Sequence, residues 1–334
     1  MADFKRRIAR LPASSAPVLL VVIDTEEEFD WSKPFSRTGH SVEALAEIGR
    51  AQDLFERFGI VPVYAVDYPV ADQPAKARHL IDAAASGKAL VGAQLHSWVT
   101  PPFEEAVSRV NSYQGNLPAA LEQAKLDALA GRITESFSVR PVIHKAGRYG
   151  IGPATPAIIA DLGFQIDLSI CARFDGRGDG GPDHSAYGAD PFWFGPGGDL
   201  LELPSTAGYA GLLAGQGQAL HRIVGGRRME RLRVKAAFSR LGLLERLRLS
   251  PEGYALADLK RLTRKLLADG VRVFSFSFHS PSLRPGCTPY VRDKDDLARL
   301  LATCTGYFEF FQSEIGGRFS TPFDVRDVLR GAEA

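Results

Sequence analysis

The sequence predicts an α/β fold of parallel βαβ units closed into a barrel, and three observations carry that reading. Short aliphatic runs alternate with stretches of helical spacing about seven times, the rhythm of strand, crossover helix and next strand. The run Val18-Leu19-Leu20-Val21-Val22-Ile23 holds six consecutive aliphatic residues, as expected of a strand buried on both faces rather than of an exposed hairpin. Several predicted strands also deliver Asp, Glu, His, Lys or Arg at their C-terminal ends, which favours a barrel with one chemically equipped rim over an open sheet.

The first strand runs straight into Asp24-Thr25-Glu26-Glu27-Glu28-Phe29-Asp30, five carboxylates in seven positions. Clustered carboxylates repel unless a cation or proton separates them, so this stretch reads as a metal or acid/base site; the plain alternative is a solvated acidic loop. Apolar residues at helical spacing over 41–58 stop at Gly59. A second strand over 60–66 ends at Asp67, and a helix over 75–86 closes at Gly87. The third strand, 89–96, ends on His96. A long helix is predicted over 117–137, then Pro141-Val142-Ile143-His144-Lys145-Ala146-Gly147-Arg148-Tyr149-Gly150 reads as a fourth strand breaking into a glycine-rich, cationic turn. A short helix over 153–161 and strands at 164–169 and 200–203 flank a Gly, Asp and Pro-rich loop over 172–200. A helix over 255–268, a last strand over 271–279 ending on His279, and a helix over 294–315 complete the series.

At 334 residues, 45% hydrophobic and 24% charged, the chain is read as one globular barrel domain over 1–334. A net charge of +1 gives no pull toward nucleic acid. The three cysteines, Cys171, Cys287 and Cys304, lie far apart in no C-x-x-C pairing, which fits a reducing compartment. The apolar run after Lys5, Arg6, Arg7 and Arg10 is short and ends in carboxylates, and no run approaches the roughly 18 apolar residues of a spanning helix. A cytoplasmic protein is expected. One segment breaks the rhythm: 217–250 carries arginines at 222, 227, 228, 231, 233, 240, 246 and 248 against Glu230 and Glu245. It reads as a basic helical insertion, either a solvated peripheral face or a peripheral contact with an anionic membrane surface.

With the strand ends laid side by side, the chain resembles the polysaccharide deacetylases, the NodB-homology group or carbohydrate esterase family 4, and within them the WalW-like subgroup. The resemblance implies an irregular (β/α)7 TIM-like barrel and assigns residues in order. Asp24 and Glu26 stand where the family has its general base and a metal ligand. His96-Ser97-Trp98-Val99-Thr100 matches the His-Ser/Thr-x-x-His motif except that threonine replaces the second histidine. Lys145, with Arg148 as a second candidate, stands where the family has a cation beside the base. Phe276-Ser277-Phe278-His279 matches the last motif and implies His279 as general acid.

The implied activity is a metal-dependent hydrolase that removes an N-acetyl or similar acyl group from a sugar of an envelope polysaccharide or its precursor. Bound Zn²⁺, or another divalent ion, lowers the pKa of its water from ~15.7 to ~7 and polarises the carbonyl. A catalytic zinc ordinarily has three protein ligands, and a threonine hydroxyl is a poor one. Asp67, His144, Thr100 itself or water are therefore the candidates to complete the shell of Glu26 and His96. Trp98, Tyr149 and Trp193 are candidate sugar-stacking aromatics, with core packing as the plain alternative. Two other functions fit the same residues: a carbohydrate-binding relative that has lost catalysis, and an amidase acting on a small amide without metal.

Overall fold

The computed structural model describes residues 5–30, 32–217 and 243–332. Most of the basic segment, 218–242, lies outside them. Its described end, Glu245–Arg248, is a β-strand rather than helix. Among the described residues, no helix is long and apolar enough to cross a membrane.

After a two-residue strand β1 (Arg7–Ile8), the aliphatic run forms β2 (Val18–Thr25), buried at every position. The next units are α1 (Ile48–Arg57), β3 (Val63–Val66), the single turn α2 (Tyr68–Ala71), α3 (Arg78–Ala85) and β4 (Leu90–Leu95). Gly59 and Gly87, just beyond α1 and α3, take φ of 65° and 72°, the left-handed turn that ends a helix at least cost with glycine. Then come α4 (Ala119–Phe137), β5 (Ile143–Ala146), α5 (Thr155–Asp161) and β6 (Ile166–Asp167). The predicted loop over 172–200 contains a strand, β7 (Phe192–Phe194), antiparallel to β8 (Leu200–Glu202). A hairpin of β9 (Ala207–Ala210) and β10 (Glu245–Arg248) precedes α6 (Leu256–Ala268), β11 (Val273–His279), α7 (Lys294–Glu309), β12 (Arg318–Phe319) and α8 (Pro322–Gly331).

Seven strands run parallel in the order β11-β2-β3-β4-β5-β6-β8. Irregular backbone spans the remaining gap between β11 and β8. Ser205 N donates to Ile170 O (2.8 Å), Leu249 N to Thr206 O (2.9 Å) and Ser277 N to Leu249 O (3.1 Å). This is the irregular (β/α)7 barrel.

Strand alternation sorts the side chains into two layers. Val18, Leu20, Val22, Val63, Ile143, Ile166, Leu201 and Val273 fill the interior, with Val325 and Leu329 of α8 packed against the same cluster. Leu19, Val21, Ile23, Tyr64 and Phe274, Phe276 and Phe278 face the helices. The inward series continues past the apolar layer, so that Asp24, Lys145 and His279, each an even step beyond an inward aliphatic, arrive on the interior side at the C-terminal rim.

Candidate active site

The parallel register sets His279 beside Asp24. Asp24 is buried and accepts a hydrogen bond from Lys145 Nζ through Oδ1, while its Oδ2 lies 3.6 Å from His279 Nε2. Burial works against the charge on Asp24, but Lys145 and His279 together hold its carboxyl below the ordinary range. On its far side, His279 donates from Nδ1 to Glu252 Oε2 (2.7 Å), and its backbone N donates to Glu252 Oε1 (3.1 Å). Burial would lower the His279 pKa, but Glu252, Glu26 and Asp24 raise it to about 10. At neutral pH the rim therefore presents an ionised carboxylate beside an imidazolium.

A second group supports His96, which follows β4. Glu27 Oε2 lies 2.7 Å from His96 Nδ1, and Glu27 Oε1 accepts from Trp98 Nε1 (2.8 Å). Burial and the neighbouring Glu27 push Asp67 well above its ordinary range. Asp67 Oδ2 accepts from Glu27 N (2.8 Å), which holds the two carboxyl groups side by side behind the ring. A carboxylate at Nδ1 fixes the proton there, so Nε2 presents its lone pair to Glu26 Oε2, 3.4 Å away. The ring lies flat on Trp98, with centroids 4.3 Å apart. Gly147, in the turn after the neighbouring strand β5, covers it: a Cβ there would sit 2.4 Å from His96 Cδ2 and 2.6 Å from Leu95 O.

Arg148 and Tyr149 both adopt left-handed φ, 57° and 61°, a conformation non-glycine residues take at a cost of about 1–3 kcal/mol each where the surroundings enforce it. The turn sends both side chains into a cavity of about 550 Å³ whose floor is Asp24, Glu26, Gln94, His96, Lys145 and His279. Loop residues 174–176, 178–179 and 287–290 form its walls. Arg148 does not reach Asp24. It donates to Asp179 and to Ser112 Oγ and lies 4.0 Å over the Tyr113 ring, so it ties loops together, and Lys145 rather than Arg148 pairs with Asp24.

The donor set can be tested for a metal. Burial pushes Glu26 up to about 8, with His279 and His96 opposing and Asp24 and Glu27 reinforcing, so this carboxylate calls for a proton or a cation. Gln94 Oε1 is buried with no hydrogen-bond partner among the described residues, and Gln94 Nε2 lies 3.2 Å from Glu26 Oε2. The residues fit a divalent ion held by Glu26 and His96 Nε2, with oxygen from Gln94, Asp24 or water. Among the described residues, a third strong ligand for a zinc site would have to come from Asp24 or His279, whose donor atoms lie within 4.8 Å of that of Glu26. Asp67 approaches His96 at Nδ1 (3.8 Å), the nitrogen facing away from Glu26.

Four candidates from the sequence do not meet here. Thr100 Oγ1 donates to His96 O (2.8 Å), and the Thr100 carbonyl accepts from Lys125 Nζ (2.6 Å), so its side chain braces the loop instead of facing an ion. His144 alternates away from Lys145 to the helix side of the sheet, where Nδ1 pairs with Asp167 (2.8 Å). Trp98 is spent beneath His96, with Phe29 and Phe35 against it. Trp193 is buried in the interior apolar cluster with residues of α8 and does not line the cavity. Tyr149 does line it. The sequence reading missed Glu252, Glu27, Gln94 and Arg248. Glu27 was visible in the acidic run, but nothing in spacing ties Glu252 to a histidine 27 residues later.

No family model and no curated protein matches the chain. Solved structures do. A Mycobacterium smegmatis protein described as a polysaccharide deacetylase superposes at a TM-score of 0.58 with 16% identity, over 99% of this chain and 96% of that one. A Pseudomonas aeruginosa PAO1 protein described in the same way gives 0.54 and 15%, over 94% and 91%. Puue allantoinase gives 0.55 and 16%, over 97% and 94%. The chain therefore has the polysaccharide deacetylase fold, which it shares with an allantoinase.

Proposed function

We propose that the protein hydrolyses an amide C–N bond, removing an N-acyl group from an amino sugar or a comparably small amide. The observation that carries this reading is Asp24 set between Lys145 and His279, with His279 backed by Glu252, on the floor of one cavity. Amide hydrolysis needs a base for the attacking water, charge for the tetrahedral oxyanion and a proton for the leaving nitrogen. Asp24, kept ionised by Lys145, takes the proton from water, a contribution of typically ~10²–10⁴-fold. His279 carries its proton on Nε2, held there by the Glu252 hydrogen bond at Nδ1, and donates to the departing amine. A divalent ion bound by Glu26 and His96, when present, supplies positive charge against the developing oxyanion. Lys145 orients and ionises the base and is not consumed.

The loop-walled cavity favours a monomeric sugar or small amide over a polymer chain, and the fold shared with an allantoinase supports that second substrate class. The test is free-amine release from N-acetylglucosamine, its oligomers and small amides, in wild type and in Asp24→Asn. Turnover by wild type with loss of about a hundredfold or more in Asp24→Asn is expected. An Asp24→Asn enzyme with wild-type turnover would remove the base from the mechanism, and binding without any turnover would favour a carbohydrate-binding protein.

A further inference from the structure

On β10, Arg246 and Arg248 point to one side while Leu247 between them is fully buried on the other. Elsewhere in the described chain arginines such as Arg177, Arg261, Arg264 and Arg292 each pair with a carboxylate. Arg246 and Arg248 are different. Arg248 Nη1 donates to Tyr149 Oη (2.9 Å), and Arg246 Nη2 to Ala172 O (2.9 Å) and Cys171 Sγ (3.2 Å). Among the described residues neither forms an ion pair, and Arg246 Nε is buried with no hydrogen-bond partner at all.

Both line a pocket of about 380 Å³. Tyr149, Phe174, Arg248 and Tyr290 line this pocket and the catalytic cavity alike, so one opens beside the other. The carboxylate in its wall, Glu252, is committed elsewhere. Its Oε1 accepts from His279 N and Ser282 Oγ, and its Oε2 from His279 Nδ1. Among the described residues, two half-buried guanidinium groups thus face an aromatic-walled annex whose one carboxylate, Glu252, is already hydrogen-bonded to His279 and Ser282. Partly desolvated cations without a partner are unfavourable, and guanidinium matches the planar oxygens of carboxylate and phosphate better than any other side chain.

We infer that this annex binds an oxyanion group, carboxylate or phosphate, carried by the substrate whose amide lies at Asp24 and His279. The inference rests on the hydrolase reading only in calling that ligand a substrate. Neutral N-acyl sugars would then be poor ligands. The anionic arm anchors the molecule at Arg248, and Tyr149 forms the wall between anchor and chemistry.

Calorimetric titration of the full chain with three N-acetyl sugars decides it: N-acetylmuramic acid (carboxylate), N-acetylglucosamine 1-phosphate and neutral N-acetylglucosamine. At least one anionic sugar should bind about tenfold tighter than the neutral one, and which one identifies the oxyanion. That preference should fall to within about twofold in Arg248→Met and survive in part in Arg248→Lys. Equal affinity for all three sugars, or an unchanged preference in a folded Arg248→Met, overturns the inference. If Arg248→Met does not fold, Arg246→Met is held to the same criterion. If no sugar binds, inorganic phosphate and succinate should still raise the Tm of wild type and not of Arg248→Met; no shift with either anion also overturns it. Loss of amine release with anion binding intact would instead count against the hydrolase reading alone.

Discussion

Replacing Glu252 by glutamine keeps the shape beneath His279 and removes the charge that holds its proton. Glu252 Oε2 and His279 Nδ1 are 2.7 Å apart, so the two charge centres lie roughly 4 Å from each other, an interaction on the order of 4 kcal/mol at an effective dielectric of 20. At about 1.4 kcal/mol per tenfold, proton affinity falls by about a thousandfold, moving His279 from about 10 into the neutral range. A general acid works while protonated, so activity should persist below its pKa and decay above it. In wild type the alkaline limb of kcat/KM assigned to His279 should lie near 10; in Glu252→Gln it should lie near neutrality. A ¹⁵N titration of the His279 imidazole reads the same change without relying on turnover. The stability consequence has the matching sign. The raised His279 pKa contributes stability at pH below the unfolded value of about 6.5, and that contribution disappears as pH rises through about 10. An unmoved imidazole titration in Glu252→Gln would refute the assignment of Glu252 as the group that charges His279.

Lys145→Met removes the cation that keeps Asp24 below its ordinary range. A depressed carboxylate contributes stability above its unfolded pKa and loses it as pH falls through the folded one. Burial unopposed by Lys145 reverses that sign, so the acid limb of kcat/KM should move to higher pH, and urea midpoints should fall more at pH 7 than at pH 4. Gly147→Ala should push against His96 Cδ2 at 2.4 Å and the Leu95 carbonyl at 2.6 Å, costing about 1–3 kcal/mol of stability and lowering divalent-metal affinity by displacing the ring. Metal content measured on purified protein should fall at least about tenfold in Glu26→Gln and in His96→Ala, and stay unchanged in a folded Thr100→Val, which removes the hydroxyl and keeps the shape. Metal loss in a folded Thr100→Val would return that residue to the shell.

The strands were legible because their signal is local. An uninterrupted aliphatic run such as 18–23 has few places to go other than the inside of a parallel sheet, and its parity then decides that Asp24 faces inward. Lys145 against His144 was a matter of the same parity. Its phase became readable only once Ile143 was seen to point into the barrel. β7 was hidden because Phe192–Phe194 is three residues long and sits in a Gly and Pro-rich stretch, so neither length nor period set it apart. The 245–248 strand was masked by its own arginines, which read as part of a basic helix until pairing with β9 turned two of them toward the cavity.

By itself the amino-acid order determined the seven-strand rhythm, the acidic rim after β2 and the histidines at two strand ends, since each is written in consecutive residues whose hydrophobicity and period specify burial and direction. Only the tertiary structure decided which charges face each other. Glu252 beneath His279, Glu27 beneath His96, Lys145 rather than Arg148 at Asp24, and Arg248 against Tyr149 are contacts across tens to hundreds of residues. Such contacts depend on distances of a few ångströms between side chains, and electrostatic coupling of buried groups is set by those distances and by burial, neither of which sequence spacing encodes.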